Sequence, residues 1–355
     1  MNRIRTAIVG AGIGREHLAG YLALPERFDV RALCDLDMAR AREVVGERPI
    51  ATTDDLDALL ADDTLDLIDV CLPPHLHAPL ATRVLEAGKH VVCEKPLATS
   101  PAEADALLAV AARTGRRLCP VFQYRFGPAV SQLAALRAAD LTGTAYAASL
   151  ETHWDRRADY YAIDWRGTWA GENGGAVLGH AIHNHDLLTT ILGPVASVSA
   201  FVATRVNAIE VEDCAAISFR MASGAVATSS ITLGAATDTT RLRVSFERLT
   251  LESGTAPYAP ADDTWTFTAR DAVDQARVDA VVAAVGPIRS GFAGLLETLA
   301  DALESGEDGA AVTAEDGRRS IELVAAIYAS ARAGRAVTLP LSPTLDIYRD
   351  WAPAT

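Results

Sequence analysis

The sequence predicts an α/β chain in which a doubly wound parallel sheet is followed by an α+β domain built on a large, open, mostly antiparallel sheet. Three observations carry this expectation. Up to residue 122, short apolar runs alternate with amphipathic helical stretches, the pattern of parallel strands buried under crossover helices. From residue 123 the rhythm changes to long alternating runs, as expected of strands with one covered and one open face. The first apolar run ends in Gly10-Ala11-Gly12-Ile13-Gly14, a glycine cluster placed where a strand would turn into a helix. The 355 residues are accordingly divided into domains of residues 1–122 and 123–355.

In the first domain the expected strands are Arg5–Val9, Val30–Cys34, Leu67–Leu72, His90–Cys93 and Leu118–Phe122. Between the last two, Ser100-Pro101-Ala102-Glu103 reads as a helix start: a capping serine, a proline in the first turn and a glutamate able to reach back, with Gly115 as the stop. In the second domain, strands are expected at Ala145–His153, Val198–Thr204, Ala215–Arg220, Val226–Leu233 and Leu242–Glu252, with a loop from Ser253 to Ala261. Helix returns near the end. Thr313 caps a stretch whose Ile321, Val324, Ala325 and Tyr328 fall at i, i+3, i+4 and i+7, and Gly334 closes it.

Composition narrows the function classes. Half of the residues are apolar and 22% are charged, a globular balance. A formal charge of -14 leaves no basic surface for nucleic-acid phosphates. No segment reaches the length of apolar sequence that spans a membrane. Cys34, Cys71, Cys93, Cys119 and Cys214 lie in apolar runs without a C-x-x-C pair, which suits buried thiols in a reducing compartment. The first residues run straight into a strand pattern rather than a signal peptide, so a cytoplasmic protein is expected.

The residues able to do chemistry fall in three places. Gly10, Gly12, Ile13 and Gly14 form a glycine-rich loop whose following helix start can hold a pyrophosphate, the arrangement of a Rossmann dinucleotide site. The third glycine comes one residue earlier than in G-x-G-x-x-G, while the strand before, the helix after and Asp35 at the end of the second strand supply the expected context. An acidic Asp35 would accept hydrogen bonds from ribose hydroxyls and repel a 2′-phosphate, which favours NAD over NADP. Next, Leu72-Pro73-Pro74-His75-Leu76-His77 and Glu94-Lys95-Pro96 leave two strands at their carboxyl edge, where ligands of open α/β sheets bind. A buried lysine there, its pKa lowered, could take the proton of a substrate hydroxyl as hydride departs; paired with Glu94, it would be structural. Third come Trp165-Arg166 and the stretch Gly174-Gly175 to Asp186, read as helical from Val177, so that His180 and His183 share a face and His185 points elsewhere. Those histidines suit proton transfer or, satisfied by hydrogen bonds, a purely structural role. Together with Asp186 they could also ligate a metal, but no second acidic or cysteine ligand sits at metal spacing, and no metal is expected. Ahead of them, Trp154, Arg156, Tyr160 and Tyr161 read as an aromatic, basic loop suited to stacking on a sugar ring.

Together these motifs resemble the Gfo/Idh/MocA family, named for glucose-fructose oxidoreductase and inositol dehydrogenase. The likeness rests on the Gly10–Gly14 loop followed by His17, the Leu72–His77 segment, Glu94-Lys95-Pro96, Gln123-Tyr124-Arg125, Gly174-Gly175 to His183-x-x-Asp186, and a tail from Glu315 to Pro340. It covers nearly the whole chain. The resemblance implies a Rossmann domain and a substrate domain whose open sheet supports homodimers or homotetramers. It maps the catalytic lysine onto Lys95 and the catalytic histidine onto His183. Many members carry an aspartate four residues before that histidine; here the position is Gly179, and His180 is expected to share the work.

The expected activity is NAD-dependent oxidation of a hydroxyl on a sugar, glycoside or inositol, with Lys95 and His183 as acid and base. Cofactor contacts are expected from the glycine loop, Asp35, Leu72, Pro73, His75, His77, Glu94, Lys95, Gln123 and Arg166. Substrate contacts are expected from Lys95, Gln123, Tyr124, Arg156, Tyr161, Trp165, His180 and His183. Two other classes fit the same fold: a redox-assisted glycoside hydrolase or lyase that regenerates NAD, and an NAD-binding regulator without turnover.

Overall fold

Six strands, β1 (Ile4–Val9), β2 (Phe28–Cys34), β3 (Ala51–Thr53), β4 (Leu67–Val70), β5 (His90–Cys93) and β6 (Leu118–Pro120), form a fully parallel sheet in the computed structural model, which describes residues 3–353. Their order, β3-β2-β1-β4-β5-β6, is the doubly wound Rossmann order, and it reverses between β1 and β4. Helices α1 (Gly14–Leu22), α2 (Met38–Val45), α3 (Leu56–Ala61), α4 (His77–Glu86) and α5 (Pro101–Thr114) make the crossovers. At the start of α5 the Ser100 hydroxyl accepts the Glu103 N–H, and the Glu103 carboxylate accepts from both the N–H and the hydroxyl of Thr99. Gly115 ends that helix in the left-handed region, with φ +65°. The sequence did not announce β3, because Ala51-Thr52-Thr53 is a short polar edge strand without an apolar run.

The chain packs as two units. One runs to Phe122 and also takes in Phe292–Ile321; the other comprises Gln123–Gly291 and the chain from Glu322 onward. The returning segment carries the helical residues Phe292–Ser305, which lie on α1. A Cβ at Gly20 would come within 2.9 Å of the Phe292 Cβ, so the small residue in α1 permits this approach.

The second unit holds an eight-stranded sheet of β7 (Ala145–Asp155), β8 (Val195–Ala203), β9 (Cys214–Met221), β10 (Val226–Thr232), β11 (Gly234–Phe246), β12 (Leu249–Glu252), β13 (Thr266–Ala269) and β14 (Val337–Thr338). Its order is β13-β12-β11-β7-β10-β9-β8-β14, antiparallel except where β10 runs parallel to β7. The run Leu242–Glu252, expected as one strand, is the end of β11, a turn at Glu247-Arg248, and β12. Unbroken alternation without glycine or proline hides that hairpin. Burial alternates along β9 and β10, with one face covered and the other open. The remaining helices are α6 (Pro128–Ala138), α7 (Trp169–Glu172), α8 (Ala176–Gly179), α9 (Ile182–Leu192), α10 (Gln275–Ala284), α11 (Gly291–Ser305) and α12 (Ala314–Ala333). Among the described residues no helix is long and apolar enough to cross a membrane.

Candidate active site

In the first unit the site is built at the reversal point of the parallel sheet. Gly10 leaves β1 with φ +103°, and a Cβ there would lie 2.2 Å from the Cys71 carbonyl oxygen at the end of β4. At Gly14 a Cβ would lie 2.9 Å from Ile8, so this glycine sets the close packing of α1 on β1. Around Gly12 a Cβ would meet nothing within 4 Å. Close turn, open middle and close helix packing are the three tasks of a dinucleotide loop, here performed at the shortened spacing. The amides of the first turn of α1 face this opening and favour an anion. Asp35 stands beside it, half-buried, with one carboxylate oxygen accepting the Ala11 N–H at 2.6 Å and the other the Asp37 N–H at 2.8 Å. Asp35 thus orders the glycine loop as well as presenting negative charge at its edge.

The two loops leaving β4 and β5 are bolted together. His77 is buried at the start of α4, its Nδ1 2.7 Å from the Pro96 carbonyl oxygen and its Nε2 2.6 Å from that of Leu72. Burial lowers its pKa. His75 is exposed, while Leu72, Pro73 and Lys95 are half-buried. The Lys95 N–H donates to Glu94 Oε2 at 3.0 Å, and its peptide bond to Pro96 is cis. Glu94 Oε1 lies 3.0 Å from His17 Nε2, and His17 Nδ1 lies 2.8 Å from Asp69 Oδ2. His17, Asp69 and Cys71 bring metal-ligand atoms within 4.8 Å of one another, and hydrogen bonds among the three already engage those atoms.

In the second unit the Gln123-Tyr124-Arg125 turn is fastened to the histidine helix. The Tyr124 ring stacks on His183 at 4.6 Å between centroids and 26° between planes. Arg125 makes a two-pronged ion pair with Asp186, at 2.7 and 2.5 Å. Asp186, read from sequence beside possible metal ligands, is therefore an anchor. Gln123 Oε1 is buried without a hydrogen-bond partner, an acceptor suited to the carboxamide of a nicotinamide.

The helical run expected from Val177 is broken. α8 ends at Gly179, His180 has φ −122° and ψ −57°, and α9 starts at Ile182, so helical spacing does not place the two histidines. His180 meets Trp154 edge-on at 5.5 Å and Tyr160 at 5.7 Å, whereas His183 faces Tyr124. His185 points beneath the sheet onto Ser229, and burial pushes its pKa down to about 4. Trp154, expected in a loop, is a buried residue of β7 whose indole N–H donates to Thr240. Around it Arg156 pairs with Asp238 at 3.0 Å and donates to the Tyr258 hydroxyl at 2.7 Å. Arg166 lies over the Tyr160 ring at 4.1 Å and near Trp165 at 5.4 Å, and Tyr161 meets Tyr160 edge-on. A Cβ at Gly179 would meet nothing within 4 Å, so there is room for a side chain at this position.

Sequence reasoning missed Asp69, Glu212, Asp238 and Tyr258. Asp69 left a signal, an acid inside the otherwise apolar Leu67-Ile68-Asp69-Val70. Glu212 is fully buried, accepting the Gly175 and Val177 N–H groups and the Tyr328 hydroxyl, and burial raises its pKa to about 7. Its partners lie far away in sequence, and no local pattern marks it.

Residues 4–122 match the model for the oxidoreductase family with an NAD-binding Rossmann fold, and residues 130–252 match the Gfo/Idh/MocA C-terminal domain. The chain belongs to the Gfo/Idh/MocA family. An uncharacterized oxidoreductase of Synechocystis is 28% identical over 233 residues, which is 62% of this chain and 62% of that protein. A D-xylose 1-dehydrogenase (NADP(+)) of Haloferax volcanii is 37% identical over 132 residues, 37% of this chain and 40% of that one. The matched segment thus spans less than two thirds of these curated relatives. Among solved family structures, the WlbA dehydrogenase of Chromobacterium violaceum, in complex with NADH and UDP-GlcNAcA, is 28% identical with a TM-score of 0.83, covering 96% of this chain and 97% of that one.

Proposed function

We propose that this protein is an NAD-dependent dehydrogenase oxidising a hydroxyl of a sugar, glycoside or inositol, with Lys95 and His183 as its acid-base groups and His180 sharing the work. The observation that carries the reading is the reversal point of the parallel sheet, where Gly12 leaves open space at a helix start and Lys95 follows a strand at the same carboxyl edge. A bound nicotinamide would supply the hydride acceptor. Gly10 to Gly14 would hold its pyrophosphate, Asp35 its adenosine ribose, and Gln123 its carboxamide. Leu72, Pro73, His75, His77 and Glu94 would shape the wall of that cleft. Lys95, half-buried and fixed through its backbone to Glu94, takes the hydroxyl proton in its neutral form and returns it in the reverse direction. The stack on Tyr124 fixes the plane of the His183 ring, so that a ring nitrogen can hold a substrate hydroxyl. Arg156, Tyr161, Trp165 and Arg166 would present polar groups and aromatic faces to a sugar.

The WlbA relative, which holds NADH with a sugar nucleotide, supports both the cofactor and the substrate class. The Haloferax relative is named for NADP(+), so the preference for NAD rests on Asp35. A cytoplasmic location and assembly through the open sheet face, where Phe201 and Val226 are exposed, complete the proposal.

The test is absorbance at the reduced-nicotinamide band with NAD and a panel of inositols, sugars and glycosides, comparing the wild type with Lys95→Ala. NADH formation with one substrate class, reduced at least about 100-fold in the variant, is the expected result. Product without net NADH would assign the hydrolase or lyase reading, and binding of NAD without either signal would assign the regulator.

A further inference from the structure

A buried charge array underlies Lys95, and it contains a histidine to which the proposed reaction gives no task. His17 sits in the first turn of α1, 1% exposed, with one ring nitrogen facing Asp69 of β4 and the other facing Glu94 just past β5. Both neighbours are carboxylates. A neutral imidazole offers one N–H and would turn a lone pair toward one of them, whereas the imidazolium donates to both. The other oxygen of Glu94 accepts the backbone N–H of Lys95.

The remaining groups facing the ring do not supply a second cation. The Cys71 thiol, 3.4 Å from both His17 and Asp69, is pushed toward its protonated form by burial. Tyr21, on the same helix, is held neutral by burial, and burial lowers the pKa of His77 in α4. From α11 the apolar Phe292 ring seals the pocket at 4.3 Å. Two carboxyl groups thus flank His17, and Glu94 links the ring to the backbone of Lys95.

We propose that His17 is a positioning residue for Lys95: as a permanent imidazolium it clamps Glu94 onto the backbone of the lysine and offsets the negative charge that would otherwise stabilise the lysine's ammonium form. The proposal rests on Lys95 being the base of the reaction above. Burial works against the charged ring, but the interactions with Asp69 and Cys71 together outweigh it, so the His17 pKa stands well above the usual 6.5. Lys95 must lose its proton to act in the oxidative direction. With His17 made neutral, one positive charge is removed from beside its backbone, and the neutral lysine becomes scarcer at a given pH.

Two measurements test this on the full chain with NAD bound. Histidine-selective nitrogen NMR of the wild type should show one ring, absent in His17→Gln, that is still doubly protonated at pH 8; if that variant does not fold, the ring is assigned by its displacement in Glu94→Gln. A ring that is neutral at pH 8 overturns the proposal. Turnover with NAD and the best substrate of the panel should show, in His17→Gln, a kcat limb displaced upward by about one pH unit, hence up to about tenfold less activity on that limb, with KM for NAD changed less than about threefold. The double variant His17→Gln/Glu94→Gln should move the limb back toward wild type, a rescue that loss of a purely structural contact would not produce. An unmoved limb in a folded His17→Gln overturns the positioning role. Full activity in Lys95→Ala would instead overturn the underlying reading, whatever the state of the His17 ring.

Discussion

Replacing Glu212 with glutamine should convert a pH-dependent stability into a pH-independent one in the second unit. Glu212 is fully buried where the Gly174-Gly175 turn enters α8, and its two oxygens accept the Gly175 N–H at 3.1 Å, the Val177 N–H at 2.9 Å and the Tyr328 hydroxyl at 3.0 Å. Burial opposes ionisation more strongly than these donors favour it, leaving the pKa at about 7 instead of 4.5. The folded state thus holds this proton more tightly than the unfolded state. Stability from this group is complete below about pH 4.5, falls as pH rises through about 7, and is level above that. At 1.36 kcal/mol per unit, the rise from 4.5 to about 7 corresponds to about 3 kcal/mol lost between pH 4.5 and 8.

Glutamine cannot accept from both backbone amides, because one of its terminal atoms is itself a donor. That mismatch costs roughly 1–3 kcal/mol at every pH. Wild type should therefore be the more stable protein at pH 5 by about that amount, and equal or less stable at pH 8. Urea unfolding of both proteins at pH 5, 6.5 and 8, followed by tryptophan fluorescence, measures the difference, in which other titrating groups cancel. Trp169, 5.7 Å from Tyr328, reports on this region. A difference that stays constant across the series would refute the reasoning and show that the three donors keep Glu212 ionised throughout.

Two further outcomes follow from the geometry. Asp35→Ser should weaken NAD binding by roughly tenfold and narrow the preference over NADP, since it removes the carboxylate beside the loop and its bond to the Ala11 N–H; fluorescence titration with both cofactors measures this, and NADP binding tighter than NAD in the wild type would overturn the assignment. Gly179→Asp should fold with stability within about 1 kcal/mol of wild type, because the added side chain enters open space. Its carboxylate should raise the pKa of the neighbouring histidines and move any histidine-controlled limb of the pH–rate profile upward; an unmoved profile in the folded variant would refute this.

How far the sequence could be read depends on the distance over which each feature is decided. Parallel strands buried on both faces declare themselves as apolar runs, so β1, β2, β4, β5 and β6 were all legible, as was α5 with its serine cap and glycine stop. The edge strands β3 and β13 gain their place from partners, not from their own residues, and were not legible. The return of Phe292–Ile321 to the first unit turns on Gly20, whose missing side chain signifies nothing until Phe292 is beside it.

The same rule separates the parts of the site. The residues that shape the glycine loop, Gly10, Gly14 and Asp35, are tied to strand ends, and strand ends are local. Histidine roles are not, because they follow from what each ring faces. Identical in composition, His180 lies among Trp154 and Tyr160, His183 against Tyr124, His185 on Ser229, and His17 between two acids from different strands. The break at His180 makes the point most directly. A continuous helix would place His180 and His183 on one face by spacing alone, but Glu212 and Tyr328 hold the start of α8, and Arg125 and Tyr124 hold α9, so the two short helices are set by separate anchors. Those anchors come from residues 124–125, 212 and 328, which share no sequence pattern with the segment they fix. The surroundings of each histidine are accordingly set by distant partners, whereas the glycine loop is written locally.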